Sequence, residues 1–83
     1  MRFEWDPAKH RKSLAERGIG FDFAARILEG DVVEWVDTRR DYGETRFIAL
    51  GEVEGEWLVV FYTWRGDARR IISARRAGRK ERP

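Results

Sequence analysis

Cysteine is absent from the chain, and histidine occurs once, as His10. The first absence excludes disulfide cross-links, a thiolate zinc site and a cysteine nucleophile. The second excludes a metal centre assembled from several histidines of one chain. Long apolar runs are missing too: no stretch approaches the about 20 residues that a membrane-spanning helix needs. The N-terminal MRFEWD has no signal-peptide core. These absences lead to the expectation of a soluble, cytoplasmic protein with no metal or other cofactor. At 83 residues the chain is expected to form a single domain, residues 1–83. A domain of that size buries only about 60 to 65% of its unfolded surface, so its stability is modest.

What is present is more pointed. Hydrophobic residues make up 42% and aromatic residues 13% of the chain, enough for a small core, although 39% is charged. Disordered chains lack aromatic and β-branched residues, so this composition argues for a folded protein. The formal net charge of +2 conceals a division. Residues 1–64 hold 9 Lys/Arg against 13 Asp/Glu, whereas residues 65–83 hold 8 against 2. A body of −4 is therefore followed by an end of +6, an asymmetry that marks the C-terminal segment as a first functional clue.

Met1 to Trp5 alternates, with Phe3 and Trp5 on one face and Arg2 and Glu4 on the other, which predicts a short strand. Asp6 and Pro7 then supply a cap and a first helical residue that needs no donor. The helix they open is expected to reach about Arg17 and to end at Gly18. It has few apolar residues (Ala8, Leu14, Ala15) and many basic ones, so it belongs on a surface. A second helix, Phe21 to Glu29, carries Phe23, Ala24, Ile27 and Leu28 as one stripe. From Asp31 the period becomes two. Strands are expected at Val32 to Val36, Arg46 to Val53, Glu56 to Trp64 and Arg69 to Ala74. They are separated by the polar loop Asp37 to Gly43 and by turns at Glu54-Gly55 and Gly66-Asp67. The run WLVVFY suits a central strand covered on both faces. The predicted fold is α+β in the order β-α-α-β-β-β-β, an antiparallel sheet with two N-terminal helices on one face and a short basic C-terminal tail or helix.

Five words stand along the chain: FEWDPAK (Phe3 to Lys9), RGIGFDFA (Arg17 to Ala24), ETRFIALG (Glu44 to Gly51), FYTWR (Phe61 to Arg65) and RIISARRA (Arg70 to Ala77). Together, and in this order, they resemble the BrnT family of ribonuclease toxins from type II toxin–antitoxin modules. The resemblance covers essentially the whole chain. It implies a RelE-like fold, mRNA cleavage that arrests translation, and neutralisation by a DNA-binding, BrnA-like antitoxin. Operator DNA would be contacted only through that antitoxin. Many members carry Asn-x-x-x-His-Gly in the first helix; this chain has Ser13 and Arg17 before Gly18. The role of that histidine is therefore not carried over, and His10, two turns earlier, is no substitute.

Ribonucleases that work without a metal activate the ribose 2′-hydroxyl, stabilise a crowded phosphorane and protonate the leaving 5′-oxygen. Cations aimed at the phosphate can supply much of the acceleration, and arginine's planar fork grips phosphate oxygens in pairs. Arg65, at the end of the central strand, and Arg75 and Arg76, at the end of the last, are the expected catalytic cations; the resemblance favours this over a solvated basic tail. A hairpin about Gly66-Asp67 sets Arg65 near Arg69 and Arg75 at the far end, so strand pairing alone does not unite Arg65 with Arg75. Glu44 and Arg46 begin a strand two residues apart and share a face. They are either a general base with a phosphate clamp or an ordinary cross-strand ion pair.

The expected substrate-binding residues are Lys9 and His10 on the first helix, Tyr62 as a hydroxyl near the leaving group, and Trp64 as a ring for base stacking. Arg79 and Lys80 add sequence-independent RNA contacts. The plainer alternatives are a solvated His10 and buried tryptophans. Exposed strand edges and surplus aromatics suggest a partner or homodimer surface. The functional expectation is a metal-independent endoribonuclease toxin with an RNA substrate and an antitoxin partner. The rival is a non-catalytic basic module that binds RNA, DNA or an acidic partner, including a toxin surviving only in operon repression.

Overall fold

The computed structural model describes residues 1–83, in the order β1 (Arg2–Trp5), α1 (Pro7–Arg17), α2 (Phe21–Leu28), β2 (Val32–Val36), β3 (Phe47–Val53), β4 (Glu56–Arg65) and β5 (Ala68–Arg76). Asp6 caps α1 by accepting the Ala8 N–H at 2.9 Å, and Pro7 follows at the first helical position. Gly18 closes the helix at φ +71°, a left-handed conformation that side chains with a Cβ resist, and its N–H returns to the Leu14 carbonyl. Ser13 is the only buried residue of α1, as its thin apolar content predicts. In contrast, α2 buries Phe21, Ala24, Ala25, Ile27 and Leu28.

The strand order is β1-β5-β4-β3-β2. β2 to β5 form the expected antiparallel meander, but β1 runs parallel to β5. The sheet is therefore mixed, which corrects the all-antiparallel expectation. Parallel neighbours need a long connection, and the two helices with the meander supply one. β1 pairs only with Ala68–Ile71 of β5. Beyond Ile71 that side of β5 has no strand neighbour, and α1 packs there instead. Arg17 fastens the contact, its Nη1 donating to the Ala74 carbonyl at 2.9 Å.

The core lies between α2 and one face of the sheet. Ile19, Phe21, Ala24, Ile27 and Leu28 meet Ala49, Leu58, Val60, Tyr62, Ile71 and Ala74, and each large apolar side chain buried there stabilises the fold by about 1.5–3 kcal/mol. A Cβ at Gly51 would stand 2.9 Å from Val32 Cγ1 and 3.2 Å from Ile27 Cβ, so glycine at this point of β3 lets α2 settle on the sheet. β4 holds the centre and is buried on both faces, as its apolar run predicts.

An irregularity in β5 sets the orientation of the last residues. Phe61 pairs with Ser73 whereas Tyr62 pairs with Ile71, which leaves Ile72 unopposed. A bulge of this kind reverses the alternation of everything beyond it. Ile71 and Ala74 thereby both face α2, and Ser73 and Arg75 stand on the opposite face with Phe61. After β5 the chain forms a turn, Gly78 to Glu81, closed by the Glu81 N–H on the Gly78 carbonyl at 3.0 Å. It does not form a terminal helix.

Candidate functional site

A cavity of about 310 Å³ opens on the face opposite α2. Phe61 of β4 is part of its lining, with the guanidinium carbons of Arg39 and Arg75 at 5.1 and 6.0 Å from its ring centre. Arg17 enters from the end of α1, Ser73 and Arg75 from β5, and Asp37, Arg39, Tyr42 and Arg46 from the segment between β2 and β3.

Asp37 organises that segment. Its side chain is 2% exposed and accepts from Arg39 Nε and Nη2 at 2.8 Å each, from the Arg39 backbone N–H at 3.1 Å and from the Tyr42 hydroxyl at 2.9 Å. The paired Arg39 bonds hold this carboxyl well below the usual carboxylate range, against the opposing effect of burial. The same pairing raises the Arg39 guanidinium above its ordinary value. Tyr42, fixed by its hydroxyl, offers its ring to Arg46 at 4.1 Å, a cation–π contact. Arg46 Nε in turn donates to Glu44 at 3.0 Å.

Arg75 is held from the other side. Its Nη1 and Nη2 donate to the two oxygens of Glu81 at 2.7 and 2.8 Å. Glu81 also accepts the Gly78 N–H at 2.7 Å. The Arg75 fork, followed by the Gly78 amide, draws the Glu81 carboxyl down from 4.5 to about 2, and Arg75 is raised in return. Four guanidinium groups thus surround a space whose one lining carboxylate, Asp37, is already engaged by Arg39. Such an array favours a phosphate-like anion, with Ser73 and Tyr42 at hand as polar neighbours. No group of three or more His, Asp or Glu side chains is gathered to hold a metal ion; the charge comes from arginine.

Of the residues expected from the sequence, Arg46 and Arg75 line this cavity. Arg65 does not. It pairs with Ala68 while Arg75 pairs with Val59, a separation of six residues, or about 20 Å along β4. Its link to the site is Glu44, whose Oε1 lies 3.9 Å from Arg65 Nη2. Glu44 and Arg46 precede β3 rather than beginning it, because the ladder starts at Phe47. They are nevertheless an ion pair. Arg76 pairs with Leu58, on the face opposite Arg75. It donates to the Arg17 carbonyl at 2.6 Å and to Glu56 at 3.2 Å, tying β5 to α1 rather than reaching the cavity.

Tyr62 is 1% exposed and its hydroxyl donates to Glu34. Burial first, then Glu34, pushes the phenol up to about 12. It is a core donor, which corrects its expected place beside a substrate. His10 is neither solvated nor at the cavity. Its Nδ1 accepts the Phe21 N–H at 2.9 Å, capping α2 where Gly20 has no side chain to do so, and its ring stacks on Trp5. Trp64 is half exposed but belongs to the α2 face, packed edge-on to Tyr62 with Arg69 5.0 Å from its ring centre. Trp64 and Glu44 line a separate cavity of about 300 Å³. Arg79 and Lys80 are exposed in the C-terminal turn, and Lys9 is exposed on α1. Arg17, Arg39, Tyr42 and Ser73 were not anticipated. Arg39 and Tyr42 belong to a segment that reads only as a polar loop, and nothing in the sequence brings Arg17 to β5.

A mixed sheet backed by helices, with an arginine-lined cavity of phosphate-binding character on its other face, defines a small α+β protein suited to a polyanion. The match of residues 5–81 to the family model of the ribonuclease toxin BrnT, of type II toxin–antitoxin systems, is more particular. The chain belongs to that family. Membership implies an RNA target and an antitoxin partner. No curated protein matches the chain, and no helix is long and apolar enough to cross a membrane.

Proposed function

We propose that the protein is an endoribonuclease of RelE-like fold that cuts mRNA in the cytoplasm without a metal, by attack of a ribose 2′-hydroxyl on the adjacent phosphate. The observation that carries this reading is the convergence of Arg17, Arg39, Arg46 and Arg75 on one cavity, in a member of a ribonuclease toxin family. Arg46 and Arg75 stabilise the phosphorane, and substrate phosphate replaces Glu81 on the Arg75 fork. Glu44, hydrogen-bonded to Arg46 beside the cavity, takes up the 2′-hydroxyl proton. The P–O5′ bond breaks as the 2′-oxygen attacks and the departing 5′-oxygen takes a proton from water, so the products carry a cyclic phosphate and a 5′-hydroxyl. A BrnA-like antitoxin neutralises the activity and supplies the contacts to operator DNA. The edge strand β2, with Val33, Trp35 and Val36 exposed, suits a protein partner or a second copy.

The test is incubation of pure protein with a defined RNA, with and without EDTA, followed by mapping of the product ends. Cleavage with cyclic phosphate ends is expected in both, and Arg75→Ala should slow it by about 100-fold with an unchanged circular dichroism spectrum. RNA recovered intact from the wild type would establish the non-catalytic binding module instead. Undiminished cleavage by folded Arg75→Ala and Arg46→Ala would remove the cavity from the reaction.

A further inference from the structure

A second cavity, of about 240 Å³, lies between α1 and the half of β5 that β1 leaves uncovered. It shares Arg17, Ile72 and Ser73 with the arginine cavity, so the two make one groove with Arg17 at the junction. Its helical wall consists of Lys9, Lys12, Ser13, Glu16 and Arg17. Their spacing of i, i+3, i+4, i+7 and i+8 places them along one side of α1.

Two features of this wall are unexplained by folding. Ser13 is 7% exposed, yet its hydroxyl has no hydrogen-bond partner. Buried hydroxyls are normally paired, and one left unpaired lowers stability. In addition, none of the eight ion pairs of the protein involves Lys9 or Lys12, and neither lysine has a side-chain partner of the kind that Arg17 has in the Ala74 carbonyl. Arg39, Arg46, Arg75 and Arg76 each have a carboxylate partner. Positive charge without a partner is therefore gathered beside an unsatisfied buried hydroxyl, with Glu16 as the only carboxylate in the lining.

We propose that this second cavity is a phosphate subsite, in which Lys9, Lys12 and Ser13 hold the backbone phosphate of an RNA strand next to the phosphate seated among Arg17, Arg46 and Arg75. The inference rests on RNA being the ligand of the arginine cavity. Continuity of the groove favours a strand with repeated charges over a single free phosphate. Ile72, which is half-buried, offers an apolar surface to the sugar or base between the two phosphates.

The test is fluorescence anisotropy with a labelled 2′-O-methyl pentanucleotide, which lacks the attacking hydroxyl, over a series of KCl concentrations. The double variant Lys9→Gln/Lys12→Gln should bind about 10-fold more weakly, and its slope of log affinity against log salt should be shallower by about 0.7, the value for one lost phosphate contact on a single strand. A ligand with a single phosphate should bind the double variant as well as the wild type. Ser13→Ala should raise the melting temperature while weakening pentanucleotide binding about threefold, the scale of one hydrogen bond. A merely structural Ser13 would raise the melting temperature and leave affinity untouched. Unchanged affinity and slope in the double variant overturn the subsite. So does an equal loss for the single-phosphate ligand, or a wild type that does not bind the pentanucleotide. Failure to cleave ordinary RNA would sink the ribonuclease reading alone, since every comparison here uses RNA that is not cut.

Discussion

Asp37 and His10 show how little a residue's chemistry says about its task until its neighbours are known. Asp37 lines an arginine cavity, yet four hydrogen bonds and the depressed carboxyl that results make it a poor proton acceptor. It is the post to which Arg39 and Tyr42 are tied. His10, the only histidine of the chain, uses its Nδ1 to cap α2. His10→Ala should therefore lower stability by about 1 kcal/mol, the usual value of a helix N-cap, and leave the rate of RNA cleavage as it is. Urea denaturation and a cleavage assay on the same preparation check both halves. A large fall in cleavage with unchanged stability would return His10 to the site.

Elements were the most legible level. Caps, periods and turn dipeptides located both helices and all five strands to within a few residues, because these signals are local. Two element-level facts were not local. The parallel pairing of β1 depends on where the chain returns after the whole meander. The bulge at Ile72 depends on Ile71 and Ala74 both being drawn into the core beneath α2. Strict alternation counted from Ile71 would have put Arg75 on the core face. The contact between α2 and β3 also tolerates no added bulk at Gly51. Gly51→Ala should cost about 1–3 kcal/mol, the range for overpacking, measurable as a lower urea midpoint at constant slope. An unchanged midpoint would mean that Ile27 and Val32 can withdraw without loss.

At the scale of the whole molecule, the charge division between residues 1–64 and 65–83 is bridged rather than segregated. Arg65 and Arg76 of the basic end meet Glu44 and Glu56 of the body, Arg75 pairs with Glu81 inside the basic end, and Arg17, Arg39 and Arg46 come from the acidic body to join Arg75 around the cavity. Two carboxylates in this arrangement have folded-state values below their ordinary ones, Asp37 and Glu81. A lowered folded value stabilises the native state above the unfolded value and is lost as protons are taken up below it. For Glu81 that loss spans the interval from 4.5 down to about 2. The urea midpoint should accordingly hold steady above this interval and fall within it. Glu81→Gln should reduce the fall and leave the remainder due to Asp37. A midpoint indifferent to acid in the wild type would show that neither pairing persists in solution.

The sequence by itself determined the α+β class, the bounds of most elements, the surface character of α1, the central burial of β4 and the family resemblance. The resemblance rests on five words read in order along the whole chain; each of the others rests on nearest-neighbour chemistry or on periodicity within a dozen residues. Only the tertiary structure decided which cations share a cavity. Arg65 and Arg75 belong to one hairpin but lie at opposite ends of it, and adjacent Arg75 and Arg76 point to opposite faces. Arg17 and Arg39 reach Arg75 from distant parts of the chain. Whether two side chains meet across a sheet is set by strand register, one bulged residue and the packing of a helix against an uncovered strand. No local signal encodes those, because they follow from burying the whole core at once.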